Sequence, residues 1–503
     1  MSYVFIAPGL FALCVAERLS FIFGGTCFAS KDRMSLKEKF SERWKPFERS
    51  LQFWVQAADI YAGYKVCQLR TRLVKDAGEQ EAMWERQHEI AAEKMYFLCS
   101  DLGGLFLKAA QIFGKPDLAP AAWVRRLVTL YDRAPETPVK VVQQMVEEEL
   151  GKNFHEVFER FDIQPVGSAS IAQVHRARLR HAKTDVAVKV QHPGVENLMM
   201  VDIHNLQALA KFLQREIKFD LFSLTKEVEK QIQYEFDFRR EAEAMERIRN
   251  FFGTNNRKTP VLVPRVINGM VTRKVLVMEF IHGIPIMNLG HVIAQRGIDP
   301  GGKLATAAKR KILENLTLAY GQMILKSGFF HADPHPGNIL ICKDSKVALL
   351  DYGQVKNLPD NLRLGFANLV IAIADKNPTK AAQSYRELGI ETLNSDDVEE
   401  LFQLAIKMFD TKLPRGMTVL SPFSEDSSLK KISVQSFPEE LFSVLRTMQL
   451  LRGLSVGMGI SYSCAEQWRP LAEEALYRAG RLNDNSFKAK RSGILQTLFR
   501  RGR

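Results

Sequence analysis

Three oxygen-bearing side chains in the second half of the chain have the spacing of a metal-assisted phosphoryl-transfer centre. Asp333 lies in the run H-A-D-P-H-P-G-N at 331–338, five residues before Asn338. Asp351 opens the triplet D-Y-G thirteen residues after Asn338. In kinases a catalytic Asp precedes a metal-binding Asn by five residues, and a second metal-binding Asp opens a D-F-G turn. The spacing therefore predicts that Asp333 is the base that orients the acceptor, while Asn338 and Asp351 bind Mg²⁺.

The sequence between Asn338 and Asp351 predicts a β-hairpin. Residues 339–341 and 347–350 are apolar runs, and the polar stretch 343–346 separates them. Two strands joined by a turn are what a kinase layout places between its two metal ligands. This agreement makes a chance set of loop acids the weaker interpretation.

Residues upstream of this centre have the order of an ATP-binding site. The alternating strand 185–191 carries Lys189, which we expect to contact the α and β phosphates. Small residues stand before it where kinases have a glycine-rich phosphate loop, namely Gly167, Ser168, Ala169 and Ser170. Small side chains let backbone N–H groups approach phosphates, and the serine hydroxyls add donors. Because only one of the four is glycine, we expect a stiffer loop than in kinases.

Two further segments complete the predicted nucleotide site. The apolar strand 274–280 occupies the hinge position, so the backbone from Glu279 to Ile281 is expected to read adenine. The stretch 223–252 is rich in helix formers and acids, and Glu241 is the expected partner of Lys189. On one continuous helix, Asp237 and Glu241 share a face. For the other acidic residues of this stretch, the alternative to a functional role is a helix face exposed to water.

These motifs resemble the UbiB family, the aarF-domain atypical kinases linked to quinone and prenyl-lipid biology. The loop H-A-D-P-H-P-G-N stands where kinases have H-R-D, and D-Y-G fits the family's variable D-F-G. Glu235, Asp237 and Glu241 match the family's E-x-D followed by E-A, and 108–111 (K-A-A-Q) corresponds to its K-x-G-Q. The resemblance covers roughly residues 95–360 by motif, and extends to about 475 by helical character.

The resemblance implies a fold, cofactors and a gate. The implied fold is α+β: a two-lobed protein-kinase-like fold with an N-terminal helical extension and a largely helical C-lobe. The implied cofactors are ATP and Mg²⁺. Lys108 and Gln111 are expected to form a regulatory gate with Glu235 and Asp237, in a helix laid over the active site. Ala110 replaces the family's glycine, and its Cβ alters how closely that helix approaches.

The predicted organisation has five parts. An apolar N-terminal extension of uncertain role precedes a helical extension carrying the K-A-A-Q motif, an N-lobe, a C-lobe and a basic tail. Their ranges are 1–33, 34–150, 155–281, 283–480 and 481–503. The strands of the N-lobe are expected near 160–166, 171–179, 185–191, 263–267 and 274–280. A helical insert is expected at 194–216.

The segment that docks peptide substrates in protein kinases is expected to be very short or missing. Pro359 follows Asp351 closely, and a new helical pattern covers 361–375. This leaves little chain between the metal-binding triplet and the next helix.

Composition is that of an intracellular globular enzyme with an affinity for anionic surfaces. The 503 residues have a formal net charge of +13, which favours an anionic ligand or surface. No zinc-finger or RRM signature is present, so nucleic acid is not an expected partner. The six cysteines are dispersed without C-x-x-C, which predicts reduced thiols.

A membrane surface or prenyl lipid is the expected partner besides ATP. Residues 36–65 have large apolar residues at a 4,3 spacing with basic residues between them, which predicts a basic amphipathic helix. The apolar set is Phe40, Trp44, Phe47, Leu51, Trp54, Ala58 and Tyr61, and the basic set is Lys37, Lys39, Arg43, Lys45 and Arg49. Pro46 should start or kink this helix. The alternative is a helix packed on the protein core with its basic face in water.

Targeting stays open from the sequence. Residues 3–16 and 19–29 are almost wholly apolar, and neither run reaches the roughly 20 residues of a membrane span. Few basic residues accompany them, which is atypical of transit and secretory peptides. The segment is also consistent with an extension from an alternative start. A mitochondrial or plastid, membrane-associated location is implied by the family resemblance alone.

Three functional interpretations remain. The first is an ATP-binding atypical kinase or ATPase that supports prenyl-quinone or other isoprenoid-lipid metabolism at a membrane. The second is a protein kinase acting on Ser or Thr, which the short segment after Asp351 disfavours. The third is a catalytically silent nucleotide-binding scaffold, which the complete set of polar groups disfavours. We favour the first, with an acceptor that the sequence does not identify.

Overall fold

The computed structural model describes residues 36–107, 120–130, 136–214, 216, 221–254, 259–392, 397–412 and 434–482. The chain divides into two compact units. Unit one comprises the residues up to 183, together with 188–237 and 273–275, and unit two comprises 184–187, 238–272 and the chain from 276 onwards. This division is based on packing within the chain and does not test the predicted boundaries of the two lobes. Those boundaries stay predictions.

Unit one is helical at its beginning. Its helices in the described residues are α1 (Leu36–Thr71), α2 (Ala77–Leu102), α3 (Ala121–Leu127), α4 (Val139–Leu150), α5 (Phe154–Val157), α6 (Val195–Leu213) and α7 (Leu221–Glu235). The side chain of Asp76 caps α2 by accepting the N–H of Glu79 at 2.7 Å. Gly103, at a φ of 59°, ends it. A buried cluster that includes Phe53 and Phe106 joins α1 to α2 and to the chain that follows α2.

The first helix uses two different faces. Trp54 and Phe53 are buried, whereas Leu51, which was expected on the same apolar face as Trp54, is 47% exposed. The predicted single apolar face is therefore wrong, and the alternative of a packed helix holds for the Trp54 side. Pro46 lies inside the helix and does not begin it.

A polar seam fixes α1 against α6. Arg49 makes two hydrogen bonds to Asp202, Nε to Oδ1 and Nη2 to Oδ2, each of 2.7 Å. Asn205 accepts from the indole N–H of Trp54 at 3.2 Å and donates to the hydroxyl of Ser50 at 3.0 Å. Arg49 was expected on a membrane-facing basic surface. It instead neutralises a buried carboxylate, since the side chain of Asp202 is only 1% exposed.

The strands of unit one form a short antiparallel arrangement. They are β1 (Phe158–Phe161), β2 (Gly167–Ser168), β3 (Ala172–Leu179) and the greater part of β4 (Asp185–Gln191). Both β1 and β2 pair antiparallel with β3. The predicted strands at 171–179 and 185–191 are confirmed, as is the helical insert at 194–216.

The predicted helical stretch 223–252 is two helices. Helix α7 ends at Glu235 and belongs to unit one. The next helix, α8 (Phe238–Thr254), belongs to unit two. The carbonyl of Phe236 accepts the side-chain N–H of Gln191 at 2.8 Å, and the Phe236 ring is fully buried. The break in the helix thus leaves the Phe236 carbonyl free to accept from the Gln191 side chain on β4. Asp237 therefore precedes α8 and does not share a helical face with Glu241.

Unit two holds most of the remaining elements. Its helices in the described residues are α8, α9 (Leu289–Gln295), α10 (Lys303–Gly321), α11 (Asp360–Ala374), α12 (Pro378–Leu388), α13 (Val398–Phe409), α14 (Glu439–Gly457) and α15 (Cys464–Arg478). Its strands are β5 (Val261–Leu262), β6 (Val266–Val271), most of β7 (Val275–Glu279), β8 (Ile284–Pro285), β9 (Phe329–His331), β10 (Ile339–Ile341), β11 (Val347–Leu349), β12 (Val355–Asn357), β13 (Glu391–Thr392) and β14 (Val434–Ser436).

The small sheets of unit two carry the predicted catalytic segments. One has the order β5-β11-β10-β8, in which β10 and β11 form the antiparallel hairpin predicted between Asn338 and Asp351. A second pairs β9 antiparallel with β12, with His331 opposite Val355. Helix α11 begins at Asp360, so the expected short connection after Asp351 is confirmed.

The helices of unit two pack around Trp468. This ring is fully buried, and its N–H donates to the carbonyl of Thr317 in α10 at 2.7 Å. A Cβ on Gly321 would lie 2.6 Å from the Trp468 ring, so only glycine allows α10 this close to α15. After Gly321 the helix widens into a π-helical turn, Gln322–Ser327, which leads into β9 and the catalytic loop.

We expect Asp202→Ala to destabilise unit one by about 3 kcal/mol, because it leaves the guanidinium of Arg49, only 14% exposed, without its counter-ion. Urea unfolding followed by tryptophan fluorescence measures this, since four of the five tryptophans lie in unit one. Lys65→Ala is the matched control. Its ion pair with Glu216 is equally short at 2.7 Å but has side chains 38% and 41% exposed, so the cost should be below about 1 kcal/mol. Equal costs for the two variants would contradict the assignment.

Candidate active site

The catalytic loop follows β9 and closes on itself through backbone hydrogen bonds. The N–H of His335 donates to the carbonyl of Asp333 at 2.7 Å, and the N–H of Asn338 donates to the carbonyl of His335 at 2.8 Å. The side-chain amide of Asn338 also reaches the Asp333 carbonyl, at a long 3.4 Å. Ala332 donates to the carbonyl of Gln354 at 2.8 Å. The five-residue spacing therefore forms one compact turn with Asp333 and Asn338 at its two ends.

A buried histidine orients this loop. Nε2 of His331 lies 3.1 Å from the carbonyl of Leu350 and 2.9 Å from that of Asp351. Carbonyls only accept, so Nε2 carries the proton, and Nδ1 accepts from the hydroxyl of Tyr320 at 2.9 Å. Burial lowers the pKa of His331, which keeps the ring in this neutral form. His331 thus ties the chain before Asp333 to the chain around Asp351.

Asp351 has an unusual backbone. Its φ is 57°, in the left-handed region that costs a non-glycine residue roughly 1–3 kcal/mol. Three hydrogen bonds hold the triplet there. His331 binds the Asp351 carbonyl, Gly353 donates its N–H to Oδ1 of Asp351 at 3.2 Å, and Tyr352 donates its N–H to Oε1 of Glu241 at 3.2 Å. Strain supported in this way is typical of functional positions.

The two predicted metal ligands meet at the base of the hairpin. The N–H of Leu350 donates to the carbonyl of Asn338 at 2.8 Å, which places Asn338 beside the residue that precedes Asp351. Asp351 is exposed and Asn338 is half-buried. An amide and a carboxylate oxygen are hard donors that suit Mg²⁺. The donor set therefore fits the ion.

The predicted metal ligands Asn338 and Asp351 are only two in number. Within the described ranges, no group of three or more His, Cys, Asp or Glu side chains is arranged to hold a metal ion. Mg²⁺ is commonly held by one or two carboxylates plus substrate phosphates. Asn338 and Asp351 match that arrangement, and an ion held there would neutralise charge on phosphate oxygens.

The hinge segment offers few free backbone groups. The N–H of Glu279 donates to the carbonyl of Arg265 at 2.8 Å, and the N–H of Phe280 donates to the carbonyl of Asp185 at 3.2 Å. The carboxylate of Glu279 faces back to the N–H of Arg265 at 3.3 Å. The N–H groups of Glu279 and Phe280 are therefore engaged within the protein, and adenine recognition by this stretch stays a prediction.

In unit one, the small-residue loop is a tight hairpin. Gly167 pairs with Val174, and the N–H of Ala169 donates to the carbonyl of Ala172 at 2.8 Å. That N–H is therefore not offered to a phosphate, unlike the N–H groups of a glycine-rich loop. A Cβ on Gly167 would meet no atom within 4 Å, so space does not explain this glycine.

His192 clamps the same loop. Its backbone N–H donates to the carbonyl of Ile171 at 2.8 Å, and its Nε2 lies 2.9 Å from the carbonyl of Ala169. Nδ1 lies 2.7 Å from the hydroxyl of Thr137. Burial lowers the pKa of His192, consistent with a neutral ring that donates from Nε2 and accepts at Nδ1. The stiffness expected from the loop's composition is reinforced by this side chain.

A second histidine extends the clamp. The side-chain oxygen of Gln173 accepts the N–H of Thr137 at 2.6 Å, and its NH₂ group donates to the Thr137 carbonyl at 3.0 Å and to Nε2 of His175 at 2.8 Å. Nδ1 of His175 donates to the carbonyl of Asp162 at 2.9 Å. Burial lowers the pKa of His175. A proton on Nε2 would face the Gln173 donor, so this network requires the neutral ring.

The other predicted site residues are placed as follows. Lys189 is half-buried on β4 in unit one, and Glu241 is buried on α8 in unit two, so their pairing stays a prediction. Glu235 ends α7, and Asp237 lies in the break that follows, both half-buried. Lys108 and Gln111 lie outside the described residues. The gate stays an expectation of the family resemblance.

The structure adds one charged residue to this site that motif reasoning missed. The Nη2 atom of Arg446, on α14, lies 2.9 Å from Oδ1 of Asp333. The two residues are 113 positions apart, and Arg446 belongs to no motif. No sequence signal points to it. His192 was also missed, although its position just after the Lys189 strand is a weak signal.

Comparison with known proteins identifies the family. Residues 129–385 match the sequence profile described as the ABC1 atypical kinase-like domain. The chain belongs to this family, the aarF/UbiB kinases. The predicted resemblance is therefore confirmed.

Two relatives illustrate the match. AarF domain-containing protein kinase 1 of Gallus gallus is 30% identical over 397 residues, which are 75% of this chain and 72% of that protein. The chloroplastic protein ACTIVITY OF BC1 COMPLEX KINASE 8 of Arabidopsis thaliana is 32% identical over 298 residues, 58% of this chain and 37% of that protein. This chain is thus a kinase-like protein by family, with mixed helices and strands.

A solved structure shows the same fold. It is the erythromycin complex of Rv3197 from Mycobacterium tuberculosis, with a TM-score of 0.50 and 22% sequence identity. The match covers 79% of this chain and 98% of that one. At this identity the likeness concerns the fold alone.

We expect the stability of unit one to fall as the pH is lowered below about 6.5, the ordinary histidine pKa. Because the pKa of His175 is lowered on folding, the unfolded chain binds protons first, so the stabilisation is complete above that pH and is lost below it. His175→Gln should show a smaller fall in thermal midpoint between pH 7.5 and 5.5 than the parent. His181→Gln, on an exposed turn, is the control and should behave like the parent. Identical pH profiles for all three proteins would contradict the role of His175.

Proposed function

We propose that this protein is a Mg-ATP-dependent atypical kinase or ATPase that supports prenyl-quinone or other isoprenoid-lipid metabolism at a membrane. The observation that carries the catalytic part is the hydrogen-bonded arrangement of Asp333, Asn338 and Asp351 around His331. It has the order and the loop closure that phosphoryl transfer requires. Family membership supports nucleotide chemistry in general, and the lipid part rests on the family resemblance.

The proposed roles follow from position and chemistry. Asn338 and Asp351 hold Mg²⁺, which bridges phosphate oxygens and neutralises the charge that develops in transfer. Lys189 contacts the α and β phosphates and pairs with Glu241. Asp333 orients the acceptor and takes its proton. Glu241 has a further role, because its carboxylate already binds the backbone N–H of Tyr352.

Generic peptides are poor candidates for the acceptor. Only β12 lies between the D-Y-G triplet and α11, which begins at Asp360. Peptide-docking activation segments need more chain than this. A small-molecule or lipid acceptor, or water, fits the short connection better than a protein Ser or Thr.

An exposed apolar stripe on α1 supports the membrane part of the proposal. Leu51, Val55, Val66 and Leu69 are 46–60% exposed, and their spacings of 4, 11 and 3 residues return to one helical face. The chain's net charge of +13 complements an anionic lipid surface. None of the helices in the described residues is long and apolar enough to span a membrane. Several relatives are named as chloroplastic, and an organelle membrane is the proposed location.

We expect Asp351→Asn to nearly abolish the thermal stabilisation by Mg-ATP, because it removes a charged metal ligand. Asparagine tolerates the left-handed backbone at this position, so the variant should fold. Asp344→Asn is the matched control, since Asp344 also has a positive φ, 58°, in the hairpin turn. It should bind Mg-ATP like the parent. Unchanged stabilisation in Asp351→Asn would remove Asp351 from the metal site.

We expect the triple variant Leu51→Gln/Val55→Gln/Leu69→Gln to bind anionic liposomes at least roughly tenfold more weakly than the parent, because three apolar side chains no longer enter the lipid interface. Co-sedimentation with phosphatidylglycerol vesicles measures this. Nucleotide binding without lipid should not change. A control with three polar exposed residues of α2 replaced, Glu81→Gln/Glu85→Gln/Arg86→Gln, should keep its binding. Parent-like binding by the α1 variant would place the lipid contact elsewhere.

A further inference from the structure

Arg446 pairs with the candidate catalytic base. Its guanidinium Nη2 lies 2.9 Å from Oδ1 of Asp333, and both residues belong to unit two. The Asp333 side chain is 18% exposed, whereas the Arg446 side chain is 47% exposed. The carboxylate is thus sheltered, and the cation approaches it from the solvent side.

Helix α14 holds Arg446 at this place. The helix is anchored by fully buried side chains on its other face, including Val444, Met448 and Leu451. Its backbone position is therefore fixed, while the long side chain of Arg446 retains freedom at its tip. A guanidinium has five N–H donors, and one contact to Asp333 leaves others for a second anion.

The ion pair is one that a ligand can reorganise at little cost. The Arg446 side chain is half-exposed, so water solvates the cation and the pair contributes little net stability. The contact is also made through a single oxygen of Asp333 and is not the stronger two-fold arrangement. Arg446 can exchange Asp333 for a more highly charged partner.

The transferred phosphoryl group is such a partner. An acceptor oxygen bound by Asp333 must lie within hydrogen-bond distance of the carboxylate. The phosphorus atom that is being transferred lies next to that oxygen. The Arg446 guanidinium is at hydrogen-bond distance from the same carboxylate, so it lies close to any acceptor oxygen that Asp333 binds. Charge builds on the equatorial phosphoryl oxygens during transfer, and an arginine supplied there accelerates NTPases by roughly 10³–10⁵-fold.

We propose that Arg446 is a catalytic residue of this site, which pairs with Asp333 in the free enzyme and binds the phosphoryl oxygens during transfer. This inference rests on the proposed function. In the step, the acceptor O–H bond breaks and its proton passes to Asp333. The new O–P bond forms as the bond from the γ phosphorus to the β–γ bridging oxygen breaks, and that electron pair leaves with ADP.

The test compares Arg446→Met and Arg446→Lys with the parent. Arg446→Met should bind Mg-ATP within about twofold of the parent, yet lose roughly a hundredfold or more in single-turnover ATP cleavage. It should also lose most of the parent's extra affinity for ADP with aluminium fluoride, a mimic of the transferred group, over ADP alone. Arg446→Lys should recover part of both, because lysine keeps the charge without the planar donor set.

A control variant separates catalysis from surface charge. Arg478→Met, on α15, removes an exposed arginine whose guanidinium lies 2.6 Å from Glu474, and it should match the parent in all measurements. Thermal midpoints of the free proteins verify that each variant is folded.

Each outcome decides between the alternatives. Parent-like turnover and aluminium fluoride affinity in Arg446→Met would overturn the inference while leaving the proposed function intact. Faster turnover in Arg446→Met would also overturn it, and would show that Arg446 blocks Asp333. Absence of Mg-ATP binding in the parent would overturn the proposed function and the inference together.

Discussion

The neutral imidazole of His331 is the interaction on which the rest of the candidate site depends. It is fully buried, and its two nitrogens connect β9 to two other parts of unit two: α10 through Tyr320, and the consecutive residues Leu350 and Asp351 that follow β11. A buried polar ring is expensive unless both nitrogens are satisfied. Satisfying them fixes the relative positions of the predicted catalytic loop and the D-Y-G triplet. The geometry of Asp333 and Asp351 is therefore set by a residue that need not touch the nucleotide.

The unfavourable backbone conformation of Asp351 is stabilised by contacts with neighbouring residues. Its left-handed backbone is unfavourable by itself, and it persists because His331 and Glu241 bind the carbonyl and the following N–H. The Tyr352 ring, between these two anchors, is buried against His331 with ring centroids 5.2 Å apart. Its hydroxyl is buried without a hydrogen-bond partner in the described part of the chain. Tyr352 thus contributes by filling space, and its ring is used in place of the Phe of D-F-G without a role for the hydroxyl.

Local patterns were predictable and contacts across the chain were not. The hairpin of β10 and β11, the strand carrying Lys189 and the start of α11 follow from apolar periodicity and turn residues, which act over a few positions. The break at Phe236 was missed because helix propensity in 223–252 gives no sign that Gln191 binds a backbone carbonyl there. The Arg446 contact and the inward direction of Arg49 also depend on tertiary packing, since a surface arginine and a buried one look alike in sequence.

The small-residue loop of unit one uses backbone donors for hydrogen bonds within the loop itself. In the small-residue loop, the N–H of Ala169 is consumed by the turn, and His192 holds the carbonyls of Ala169 and Ile171. Such a loop is stiff and offers fewer amides to phosphates than a glycine-rich loop does. Under the proposed function, the charge of a bound phosphate would then be neutralised mainly by side chains and a metal ion. In unit two, the residues proposed for this role are Asn338 and Asp351, which would hold Mg²⁺, and Arg446, which pairs with Asp333. Under the proposed function, binding of phosphate therefore depends on a few placed side-chain charges and not on backbone N–H groups.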